Sequence, residues 1–109
     1  MLEFTVPNHD KDLNEIESTI ETIKNEMAGR VKTMSIVVRD NLKKTVITQM
    51  YRLGFLSTPI FELRIPMEDA YFKKYGRKGK KMFLNHYEFL HERYDFLKEE
   101  IYTLFKKLN

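Results

Sequence analysis

Phe83, Tyr87, Leu90, Tyr94, Leu97, Ile101, Leu104 and Leu108 follow one another at alternating spacings of four and three residues, an unbroken apolar seam through the last quarter of the chain. A repeat averaging about 3.5 residues stays on one face of a helix only if the helix is slightly underwound against a partner along its whole length. The seam therefore predicts a coiled-coil helix over residues 81–108 and assigns those eight residues to a partner or oligomer interface. Spacing alone does not choose between a partner helix in the same chain and one in another.

A second seam lies near the start. Leu13, Ile16, Ile20, Ile23 and Met27 repeat at three and four residues, with Glu17, Glu21 and Glu26 mostly outside the stripe. Asn8 or Asp10 is placed to cap this helix, and Asp12 and Glu15 suit the positive end of its dipole. The phase slips at Ala28 and Gly29, then resumes as Val31, Met34, Val38, Leu42, Thr45, Gln49 and Leu53. Glycine is disfavoured inside a helix by about 1 kcal/mol relative to alanine, so a kink, stutter or short break is expected near Gly29. Residues 10–53 thus read as one long bent helix that stops at Gly54. Its second half is apolar on more than one face, since Ile36, Val37, Ile47, Met50 and Tyr51 lie off the stripe. It is expected to sit centrally, packed on both sides.

Two short stretches alternate instead. Leu2, Phe4 and Val6 precede Pro7, and Phe61, Leu63 and Ile65 precede Pro66. This period of two predicts a short strand or arm in residues 1–9 and a strand at 60–65, a pair that a neighbouring helix would have to cover. A short helix is expected from Met67 to Tyr75. The fold class that follows is mainly α: a long bent helix and a C-terminal coiled-coil helix forming an antiparallel hairpin, with a short extended and helical insertion over 55–80. All of it fits a single domain spanning residues 1–109.

Composition narrows the chemistry. A charged fraction of 32% against 42% apolar suits an elongated helical protein. The chain has no cysteine, so it has no disulfide, thiolate nucleophile or cysteine-ligated zinc, in keeping with a reducing compartment. No apolar run reaches the roughly 18 to 20 residues that span a bilayer, and MLEFTVPNHD is not a basic segment followed by an apolar one. The expectation is a soluble, cytoplasmic protein without a membrane partner.

Charge is segregated along the chain. Residues 1–28 hold seven acidic and two basic side chains, net −5; residues 29–81 hold thirteen basic and four acidic, net +9; residues 82–109 are net −1, from four basic and five acidic. Within the basic middle, Tyr71, Phe72, Lys73, Lys74, Tyr75, Gly76, Arg77, Lys78, Gly79, Lys80 and Lys81 make a tip of six cations, three aromatic rings and two glycines. Such a tip can neutralise phosphates while its rings stack on unpaired bases, and Lys73, Lys74, Tyr75, Arg77, Lys78, Lys80 and Lys81 are the candidate nucleic-acid or anion contacts. The same lysines also serve as an ordinary solvated turn.

Catalytic signatures are weak. His86 and His91 are five residues apart, about 140° around a helix, whereas a metal pair on one face needs i, i+4 spacing. Glu88, Glu92, Glu99 and Glu100 read as solvated charges, and Ser18, Ser35 and Ser57 lack an elbow motif. No catalytic, metal or cofactor residue is assigned. The leading expectation is a small non-enzymatic interaction or regulatory protein, a homo-oligomer that binds a macromolecule through apolar helix faces and its basic tip; accessory factors, viral ones included, are often of this kind. The alternative is a nucleic-acid-binding protein of winged-helix type. There, residues 43–53 would be the recognition helix, 60–65 a wing strand, the glycine-flanked turn the wing tip, and the last helix the dimeriser.

Overall fold

A computed structural model describes residues 9–109, and every regular element among them is helical. Four α-helices follow one another: α1 (His9–Met27), α2 (Ile36–Ser57), α3 (Arg64–Tyr75) and α4 (Gly79–Leu108). The expected arm at residues 1–9 and the Asn8 cap fall outside the described residues, apart from His9, which opens α1.

The slip at Gly29 is a full reversal. Gly29 takes φ +68°, the left-handed conformation that an unbranched backbone adopts without a Cβ clash. A short 3₁₀ turn, Val31–Thr33, follows, and Ser35 then caps α2 by accepting a hydrogen bond from the Val38 amide at 3.2 Å. Arg39 ties the turn down by donating to the Val31 carbonyl at 2.6 Å. Residues 10–53 therefore form two helices laid against each other, with Arg52 meeting Glu15 at 3.0 Å.

The strand expected at 60–65 is not there. α2 runs through Gly54 to Ser57, and residues 58–62 form one wide π turn closed by the Leu63 amide on the Thr58 carbonyl at 2.9 Å. Pro59 has no N–H for the ordinary i−4 bond, which is the physical reason for the widening. Ile60, Met67, Ala70 and Tyr71 are buried while Leu63 and Ile65 face outward, so a helical set of apolar positions prevails over the period-two alternation. Without that strand the wing of the winged-helix arrangement is missing as well. The presumed recognition helix, moreover, has Val46, Gln49 and Leu53 in the core.

Ion pairs set the helix directions. Asp10 and Glu17 of α1 meet Arg93, and Lys24 meets Glu100 at 2.5 Å, so α1 runs parallel to α4. α2 opposes both, with Lys43 over the Phe105 ring and Met50 and Leu53 beside Tyr94 and Ile101. α3 continues away from α2 and returns through a tight turn into α4, whose 30 residues span about 45 Å. The molecule measures 57 × 26 × 17 Å. Its radius of gyration of 17.4 Å compares with about 13 Å for a compact domain of this size.

The two seams form the core. Leu13, Ile16, Ile20, Ile23 and Met27 from α1 meet Leu42, Val46 and Leu53 from α2 and Leu90, Leu97, Ile101, Leu104 and Leu108 from α4. Each such side chain contributes about 1.5 to 3 kcal/mol when fully buried. On α2 the stripe keeps Leu42, Gln49 and Leu53 of the expected track but takes Val46 rather than Thr45, and leaves Val38 half exposed.

Candidate functional site

The eight seam residues divide cleanly. Phe83, Leu90, Leu97, Ile101, Leu104 and Leu108 are buried by helices of the same chain, and Tyr87 and Tyr94 are half-buried against Phe61. The seam is thus covered without a second molecule. What stays outside is another set: Val37, Tyr51 and Phe55 on the outer face of α2, and Met82, Phe89 and Phe96 at seven-residue spacing along α4. A groove of about 250 Å³ lies between α2 and α4 where Gly54 leaves room beside Met50, Lys98 and Tyr102.

The basic tip is the turn between α3 and α4, at one extreme of the long axis. All of Lys73, Lys74, Tyr75, Arg77, Lys78, Lys80 and Lys81 are exposed. Among the described residues, none of the six cations has a carboxylate oxygen within 4 Å. No acidic residue occurs between Asp69 and Glu88 to supply one. Phe72, 59% exposed, shares a groove of about 310 Å³ with Arg77 and Lys80, flanked by Glu68 and Asp69. Lys74 lies 5.3 Å over the Tyr75 ring, and Arg64 lies 5.1 Å over Tyr87. The tip therefore offers rings and unpaired cations side by side.

Gly79 fixes the shape of this turn. A Cβ there would come within 2.4 Å of the Tyr71 carbonyl oxygen, so only glycine lets the start of α4 touch the last turns of α3. Below it, Tyr71 and Phe83 pack edge to face at 5.9 Å, and Met67 fills the space beside them. The cations are consequently mounted on a rigid base.

Beneath the tip lies a polar cluster that periodicity does not reveal. The Tyr71 hydroxyl bonds to His86 Nδ1, and His86 Nε2 bonds to Asp10 Oδ2 at 3.0 Å, joining α3, α4 and α1. Burial raises the Tyr71 pKa above its ordinary value, so the phenol stays protonated and its O–H can donate a hydrogen bond to Nδ1. With Nδ1 accepting, Nε2 carries the hydrogen that faces the Asp10 carboxylate. Arg93 adds bonds to Asn14 and Glu17, both 2.8 Å, and lies 3.8 Å from Asp10. Since Tyr71 is only 6% exposed, the chain of bonds acts as a latch between helices.

His9 is buried beside this cluster. Burial lowers its pKa, and the neighbouring His86 lowers it further, against the raising influence of Asp12 and Asp10. In the sequence His86 stands out only for its unsuitable metal spacing to His91; its partner Asp10 is 76 residues away, and no local pattern announces such a pair. His91 is exposed and pairs with Asp95 at 3.1 Å. Among the described residues, no three His, Asp or Glu side chains converge to hold a metal ion, and no helix is long and apolar enough to cross a membrane.

No protein-family model, curated protein or solved structure matches the chain.

Proposed function

We propose that this is a non-enzymatic helical interaction protein whose basic tip binds single-stranded nucleic acid. The observation that carries the reading is the exposed Phe72 ring sharing a groove with Arg77 and Lys80, at the end of a tip whose six cations have no carboxylate partner among the described residues. Cations without internal partners keep their full attraction for phosphates, and a ring of this exposure presents a face for an unstacked base. Stacking of one base on an aromatic ring contributes about 1–3 kcal/mol and tolerates any sequence.

The test is binding to a short labelled single strand, followed by anisotropy at low salt. Neutralising Lys73, Lys74, Arg77, Lys78, Lys80 and Lys81 together to glutamine should strip away most of the single-strand affinity while leaving thermal unfolding unchanged. Phe72→Ala alone should weaken single-strand binding about 5- to 150-fold and leave duplex binding nearly as it was. A tip variant that binds like the unaltered protein removes the proposal.

Self-association through apolar helix faces is a second reading, supported by Tyr51 at 67% and Phe55 at 78% exposure on the outer face of α2. A dimer by light scattering that becomes monomeric in Phe55→Asp, with an unchanged melting temperature, is its expected signature. A monomer at every concentration rejects it.

A further inference from the structure

We infer that the molecule is two-ended: a second polyanion site lies at the opposite pole from the tip, so that one chain bridges two nucleic-acid segments. The inference rests on the proposed binding of nucleic acid at the tip and adds a second point of attachment. The groove joining Met27, Gly29 and Val31 to Thr103, Leu104 and Lys107 places the α1–α2 turn beside the end of α4. Gly79 and Lys106 are 27 residues apart on one helix, about 40 Å. That far pole carries Arg30, Lys32, Lys44, Lys106 and Lys107, all exposed and, among the described residues, all without a carboxylate oxygen within 4 Å.

Three cations of that pole have internal partners, the first being Arg30, which donates from Nε and Nη2 to the Glu26 carbonyl at 3.3 and 3.1 Å. Arg39 is bonded to the Val31 carbonyl, and Lys43 lies over the Phe105 ring. Asp40 and Glu26 are acidic side chains near it, and Glu100, which lines the same groove as Lys107, is paired with Lys24, so the local balance is positive.

The stretch between the poles has the other sign. Exposed carboxylates of α1 (Asp12, Glu17, Glu21) and of α4 (Glu92, Asp95, Glu99) cover the waist, where they outweigh the exposed Lys11 and Lys98, while Lys24, Arg52 and Arg93 are paired with carboxylates. A phosphate backbone laid along α1 or α4 would cross this acidic belt, where like charges repel it. α2 has no carboxylate between residues 41 and 57 but keeps only Lys44 unengaged there, since Lys43 lies over Phe105 and Arg52 meets Glu15. Two separate strands, one at each pole, avoid the belt and neutralise both clusters. The poles also differ in kind: the tip presents Phe72 and Tyr75, whereas the far pole exposes Ile36 and Val37 and holds its nearest ring, Phe105, half-buried under Lys43. The far site is therefore a phosphate contact without base stacking, weaker than the tip.

The test uses two strands of one sequence, one fixed to beads and one fluorescent in solution, with the full chain added at low salt. Retention of the fluorescent strand on the beads reports bridging, and anisotropy with a single strand reports simple binding. The unaltered protein should retain the fluorescent strand. Replacing Lys32, Lys44, Lys106 and Lys107 with glutamine should reduce retention at least tenfold while changing single-strand affinity less than threefold. Full retention by that variant overturns the inference, because the bridge would then come from two tips in an oligomer. Binding without retention in the unaltered protein also overturns it and leaves the tip proposal standing. Failure to bind any strand removes the tip proposal and, with it, the bridge.

Discussion

Gly54 and Gly79 both sit in helices, yet the same added methyl group should act on them in opposite directions. Around Gly54 a Cβ meets nothing within 4 Å, and the helical backbone suits alanine. Gly54→Ala should therefore raise stability by about 0.5–1 kcal/mol, through propensity and a less free unfolded chain. At Gly79 the methyl would drive into the Tyr71 carbonyl, and forcing the two helices apart should cost about 1–3 kcal/mol. Thermal unfolding of the two variants reads both signs. His9 supplies a test by pH. Its folded pKa lies below 6.5, so the unfolded chain binds the proton more readily, and the stabilisation present above that value is lost as pH falls through the folded pKa. Denaturant unfolding between pH 7 and pH 5 should show stability falling with acid, and His9→Gln should flatten that limb. An equal slope in the variant would assign the acid sensitivity to other groups. The Tyr71–His86–Asp10 latch was hidden from the sequence because its members are joined only by the fold, whereas the six cations and three rings of the tip stood in one run.

On α4, neighbouring residues separate what holds the fold from what faces out. Leu97 is 1% exposed in the core and Phe96 is 56% exposed. Leu97→Ala should cost about 2–5 kcal/mol, and Phe96→Ala should stay within about 0.5 kcal/mol, despite the larger side chain removed. Chemical unfolding measures both, and similar losses at the two positions would contradict the assignment of faces. Helices were legible wherever apolar residues kept a period near 3.5 over several turns: all five stripe residues of α1 are buried, with His9 added at its start, and α4 starts within two residues of the expected boundary. The insertion was misread for a physical reason. FELRIP is short enough for Phe61, Leu63 and Ile65 to mimic a strand, while the helical set that decides its structure, Ile60, Met67, Ala70 and Tyr71, extends beyond it on both sides. Gly54 misled too, because a glycine with negative φ is no stop signal when the apolar stripe and tertiary packing continue past it.

At the scale of the whole molecule, shape and charge reinforce each other. Two seams close the core inside one chain, which leaves the outer faces and the poles for partners. The net charge of +3 conceals a basic tip, a basic far pole and an acidic waist along 57 Å. The sequence showed the charge segregation but not the second pole, since residues near 30 and residues near 107 meet only after α1 and α2 fold back along α4. Electrostatic capture of a single strand at the tip has a quantitative signature in salt. The most direct measurement is the affinity for a short single strand as a function of salt concentration, in the unaltered protein and in the six-site tip variant. If all six cations engage phosphates, the logarithm of affinity should fall against the logarithm of salt with a slope of about −4, losing about 0.7 for each tip cation neutralised. A slope near zero, or one that is the same in the tip variant, would contradict nucleic-acid binding at this end of the molecule.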